Sequence, residues 1–89
     1  MIEKSQQGYH LTPVQCKMAR AAVGWGVRDL ATNASLSTNT VARFERGEDL
    51  KPSTLAAIRV ALEAAGVEFI AENGGGAGVR LRKPDSTPD

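Results

Sequence analysis

Cysteine and histidine are nearly missing from this chain: Cys16 and His10 are the sole examples of each. A single cysteine excludes an intrachain disulfide framework. One histidine beside one cysteine leaves too few ligands for a Cys/His zinc site, so neither a metal nor a cofactor is expected. One reduced thiol fits a cytoplasmic chain, and the simplest role for Cys16 is a small buried apolar side chain. Long apolar runs are lacking too. No stretch approaches the roughly 18 apolar residues of a membrane span, and the opening MIEKSQQGYH has no apolar core of the signal-peptide kind. Nor does one sign of charge dominate: 11 Lys and Arg against 10 Asp and Glu leave a formal net charge of +1. Attraction for an anionic partner must therefore come from where the cations lie, not from their sum. Internal repeats and extended low-complexity tracts are absent.

What is present is 89 residues, one domain near the lower size limit for a self-sufficient core. Chains this short often gain stability by dimerising, or from disulfides or metals. Residues 1–11 are polar and aperiodic and read as a flexible leader. Thr12-Pro13-Val14-Gln15 starts a helix strongly, with a capping threonine, a proline at the first helical position and a glutamine that closes a capping box. That helix runs to Val23, carries Cys16, Ala19, Arg20 and Val23 on one face, and stops at Gly24. A second helix is expected over residues 27–33, with Asp29 in its first turn and Leu30, Ala31 and Ala34 turned inward. A tight turn burying Leu36 leads to Ser37, which caps a third helix over residues 38–46. Val41 and Phe44 point inward there, and Gly47 ends it. Pro52-Ser53-Thr54 opens a fourth helix ending near Ala65, with Gly66 as its stop and Leu55, Ile58 and Leu62 as its stripe.

The pattern then changes from helical to alternating. Residues 67–71 and 79–82 read as strands of a hairpin around the glycine-rich segment 72–78. Val67, Phe69, Val79 and Leu81 share one face, and Glu68, Arg80 and Arg82 pair on the other. The hairpin, residues 67–83, serves as a core cap or as a dimer contact through its free edges and Ile70. Residues 84–89 form a disordered tail. The glycine-rich segment is no phosphate loop, because no Lys-Ser/Thr and no helix follow it. No serine or cysteine has a plausible histidine partner, so no enzyme is expected.

The informative stretch is LATNASLSTNTVARFERG, residues 30–47. Two short helices joined by so tight a turn place the second across the first, which braces it. The outer face of the second can then enter a major groove roughly 12 Å wide. Thr38, Asn39, Ala42, Arg43 and Arg46 spread over that outer face. Asn39 suits an adenine edge and Arg43, one turn later, a guanine edge, while Thr38 and Ala42 suit thymine methyls. Ser37 and the free N–H groups behind it suit a phosphate oxygen, and Arg28, Arg46 and Lys51 flank the groove as further phosphate contacts.

Arg20-x-x-x-Gly24-Trp25, Leu30-Ala31, Ala34-x-Leu36-Ser37 and Thr40-Val41-x-x-Phe44-Glu45-x-Gly47 together resemble the Cro and lambda-repressor-like helix-turn-helix family, the XRE type, across residues 12–66. The resemblance implies a mostly α bundle of about four helices, here followed by a β-hairpin. It further implies a cytoplasmic, nucleoid-associated transcriptional regulator, usually a repressor or autoregulator, acting as a homodimer on a near-palindromic double-stranded DNA operator. The ending VEFIAENGGGAGVRLRK looks like that of short bacterial members. The family pairs an arginine of its first helix with a glutamate of its recognition helix, and Arg20 and Glu45 match those positions. Buried together, they form a structural salt bridge that sets the recognition-helix angle. Three positions depart from the pattern. Val27 stands where a phosphate-touching glutamine is common, Gly26 replaces a polar cap, and Ser35 replaces a turn glycine. These departures and the near-neutral charge motivate an alternative, a protein-binding module on the same fold, of the antiactivator or antitoxin kind, with a regulatory protein partner.

Overall fold

The computed structural model describes residues 11–82. The leader through His10, Lys83 and the tail over residues 84–89 lie outside the described residues. Four helices precede a two-stranded antiparallel sheet: α1 Pro13–Val23, α2 Val27–Ala34, α3 Thr38–Glu45, α4 Pro52–Ala64, β1 Val67–Ile70 and β2 Gly78–Leu81. The domain is mostly helical, with the hairpin at its C-terminal end.

Local chemistry explains the helix boundaries. At the start of α1, Gln15 N–H donates to Thr12 Oγ1 and Thr12 N–H donates to Gln15 Oε1, both at 3.0 Å, which satisfies two orphan donors. The first three helices end alike, in a Schellman motif. Trp25, Leu36 and Glu48 each donate an N–H to the carbonyl five residues back, on Arg20, Ala31 and Arg43. The motif needs a left-handed residue just before the donor. Glycine supplies it at Gly24 and Gly47, but α2 uses Ser35 at φ 59°, a conformation that crowds a Cβ. Gly26 offers no side chain to cap α2, and only the reciprocal half of a capping box exists there: Gly26 N–H donates to Asp29 Oδ2 at 2.8 Å.

The core gathers residues from every element but β2. Leu30, Ile58, Leu62, Val41, Val67 and Cys16 are fully buried, with Ala19, Ala31 and Phe44 beside them. α2 packs on both α3 and α4, while α1 supports α3 and the hairpin. Leu11 is also buried, at 4% exposure. It belongs to the core rather than to the leader, because its apolar side chain gains more from contact than the chain loses by ordering it. Leu36 is half-buried, packed against the core edge rather than enclosed by it.

In the hairpin Val67 faces Leu81, Glu68 faces Arg80 and Phe69 faces Val79. Arg80 Nε pairs with Glu68 Oε1 at 2.9 Å. Two expectations change at the open end of the hairpin. Leu81 pairs with Val67 in register but is 52% exposed, whereas Val67 is fully buried. Arg82 does not join Glu68; its N–H donates to Gly66 O at 2.7 Å and its Nη2 to Glu63 O at 3.1 Å. The strand thereby closes onto the end of α4. A lone two-stranded hairpin is marginal in water, so α1 and α4 beneath it supply its support.

Candidate functional site

The side chains of α3 divide cleanly. Val41, Phe44 and Glu45 are buried, while Thr38, Asn39 and Arg46 are exposed and Ala42 and Arg43 half-exposed. Positions 38, 39, 42, 43 and 46 recur at helical spacing and so lie on one side. Ser37 caps the helix: Thr40 N–H donates to Ser37 Oγ at 3.0 Å, and the two hydroxyls share a 2.8 Å hydrogen bond. Cap and helix dipole together leave positive partial charge at this end. Its neighbours, Thr38 and Asn39, have no side-chain partner among the described residues.

The buried side of α3 is locked to α1. Arg20 Nε donates to Glu45 Oε2 and Arg20 Nη2 to Glu45 Oε1, both at 2.7 Å, a bidentate fork. Arg20 Nη1 also donates to Trp25 O at 3.1 Å. One guanidinium thus ties α1, the joint after it and α3. Cys16 adds a third donor, its Sγ lying 3.1 Å from Glu45 Oε2. Cys16 is fully buried, as expected, yet it is a polar partner of the pair as well as an apolar filler. Burial acts to raise the Glu45 carboxyl; the hydrogen bonds from Arg20 and Cys16 outweigh it and hold the group below its ordinary value. Burial, then the bond to Glu45, pushes the Cys16 thiol well above its ordinary value. The bond to Glu45 likewise raises Arg20.

The outer cations are arranged less simply. Arg43 Nε lies 2.9 Å from Glu48 Oε1, and Arg46 Nη2 lies 3.9 Å from Glu48 Oε2. Two of the three arginines assigned to DNA from sequence, Arg43 and Arg46, therefore share one carboxylate. Glu48 carries no helical periodicity signal, because it follows the helix stop at Gly47. Arg28, in α2, and Lys51, the residue before α4, are exposed and have no ion pair among the described residues. Val27 is half-buried against the core.

Gln15 reaches beyond its capping role. It is 2% exposed, and its Nε2 donates to Ile70 O at 3.2 Å and Gly78 O at 3.0 Å. Those carbonyls belong to the paired residues at the turn end of the hairpin. A polar residue inside the α1 apolar face was the available clue, and the cap alone had accounted for it.

Among the described residues, no group of three or more His, Cys, Asp or Glu side chains is placed to hold a metal ion, and no helix is long and apolar enough to cross a membrane. No protein-family model matches the chain, and no curated protein matches it.

Proposed function

We propose that this chain is a sequence-specific double-stranded DNA-binding regulator of transcription, of the lambda-repressor-like helix-turn-helix kind, with α3 as the helix that enters the major groove. One observation carries the reading. α3 is held on its inner side by Phe44, Val41 and the Arg20–Glu45 fork, while its capped N-terminal end offers Thr38 and Asn39 to solvent. In this docking geometry the N-terminal residues of the helix reach base edges. Asn39 takes an adenine edge and Arg43 a guanine edge; Thr38 and Ala42 contact thymine methyls. Arg28, Ser37, Arg46 and Lys51 contact phosphates and hold the register. Pairing of two copies on a palindromic operator would set the two helices about 34 Å apart.

The alternative, a partner-protein module, draws on the Glu48 carboxylate, which offsets the charge of two outer arginines. The two readings separate in one experiment. The chain is incubated with a random duplex pool, and the bound fraction is recovered and sequenced. A palindromic consensus is the expected result. A bound fraction indistinguishable from the input pool contradicts DNA reading and favours the protein partner.

A further inference from the structure

We propose that Glu48 sets the specificity of the α3 surface by clamping Arg43, withholding it from backbone phosphates while aiming the outer edge of its guanidinium at one base. The inference rests on the DNA-binding reading above.

The position of Glu48 is dictated by the backbone rather than by chance contact of two long side chains. Gly47 takes φ 107°, its N–H donates to Phe44 O at 2.9 Å, and the N–H of Glu48 donates to Arg43 O at 3.1 Å. The residue whose carbonyl receives the Glu48 amide is the one whose side chain receives its carboxylate. The chain reversal at Gly47 thus returns Glu48 over Arg43, and the 2.9 Å contact costs little further ordering.

The atom engaged is equally informative. Glu48 takes Nε of Arg43, and the guanidinium has no second side-chain partner among the described residues. An arginine offers five donors in a rigid plane. With Nε held, the edge formed by Nη1 and Nη2 remains, and that edge matches the O6 and N7 acceptors of guanine. A phosphate can take the same edge, but it is anionic and is repelled by the neighbouring Glu48 carboxylate, whereas the neutral guanine edge is not. Glu48 Oε2 extends the same offset to Arg46 at 3.9 Å. The arrangement therefore weakens contacts that any sequence provides and retains the one that depends on base identity. Arg43 is 41% exposed and Glu48 50%, so the pair sits at the surface rather than in the core.

The test uses the whole chain with E48Q, E48A and R43A, against the duplex consensus selected by the wild type and a scrambled duplex. Loss of the clamp should tighten scrambled-duplex binding roughly three- to tenfold and steepen the slope of log affinity against log salt by about one to two. The ratio of consensus to scrambled affinity should fall roughly tenfold, at the base pair that Arg43 reads. In an R43A background, E48Q should no longer alter preference at that base pair. Without DNA, the Arg43 Nε–H resonance should exchange with solvent faster in E48Q than in the wild type. A wild type that selects a consensus while E48Q leaves ratio, slope and exchange unchanged overturns the role of Glu48 alone. A wild type with no sequence preference overturns the DNA-binding reading and this inference together. Circular dichroism of E48Q and E48A should match the wild type, since the position is half-exposed and outside the core.

Discussion

The thiol of Cys16 points at Oε2 of Glu45 from 3.1 Å, the same oxygen that accepts Arg20 Nε at 2.7 Å. A carboxylate buried to 8% exposure is thus met by three donors from α1. Desolvating a charge is costly, and the cost is offset only when its lone pairs are occupied. α1 and α3 are accordingly joined by a contact that works fully assembled and poorly in part.

Removing one partner should expose that dependence. Arg20→Met leaves Glu45 buried with the thiol alone and should destabilise the fold by roughly 3 kcal/mol, the low end for a broken buried pair because Arg20 is partly exposed. Urea unfolding measures it. The double variant Arg20→Met with Glu45→Leu should recover part of the loss. A single variant within about 0.5 kcal/mol of the wild type would refute the assignment, since that is the scatter of neutral surface changes.

The same cluster should respond to pH at both ends. Glu45 has a lowered folded value, so its contribution is present above the unfolded value, about 4.3, and is lost as pH falls through the folded value. Cys16 has a raised folded value. Its contribution is complete below the unfolded value, about 8.5, and declines as pH rises beyond it, because the unfolded chain ionises first. Urea midpoints across pH should fall at both extremes. Glu45→Gln should flatten the acid limb and Cys16→Ala the alkaline limb.

Gln15 should govern the hairpin rather than the helices near α3. Gln15→Ala removes two bonds to the carbonyls of Ile70 and Gly78 as well as the capping acceptor of Thr12 N–H and should cost about 1–3 kcal/mol. Gln15→Glu should cost more, since an acceptor-only carboxylate would face two carbonyl oxygens. Hydrogen exchange provides the check: amides of β1 and β2 should lose protection while those of α2 and α3 keep theirs.

Ser35 is the sole non-glycine residue with positive φ among those described. Ser35→Gly should relieve the Cβ crowding of the left-handed conformation and stabilise the native state by about 1 kcal/mol, partly offset by greater freedom of the unfolded chain. A lower thermal midpoint for Ser35→Gly would contradict this account of the turn.

Under the proposed DNA-binding function, Asn39→Ala should cost about 1–3 kcal/mol on the selected consensus and relax preference at one base pair. Arg46→Ala and Lys51→Ala should weaken all duplexes alike; Lys51→Ala should lower the salt slope by about one and Arg46→Ala by less, since Glu48 offsets part of its charge. Equal behaviour of all three variants would contradict the division between base and phosphate contacts.

Every helix boundary could be anticipated to within a residue or two, because a boundary depends on neighbours in the chain. The capping pair Thr12 and Gln15, the stops at Gly24 and Gly47 and the alternation of Val67 and Phe69 act over five residues or fewer. The Arg20–Glu45 pair was anticipated from family resemblance, not from spacing, and its geometry is now explicit. The remaining contacts had no local sign. Gln15 meets Gly78 across 63 positions, Cys16 meets Glu45 across 29, and Leu11 joins a core built by later elements. Glu48 is near Arg43 in sequence, yet only the backbone reversal at Gly47 aims it there. Pattern reports which faces avoid water; which polar atoms meet depends on the angles at which those faces close, and those angles arise from packing.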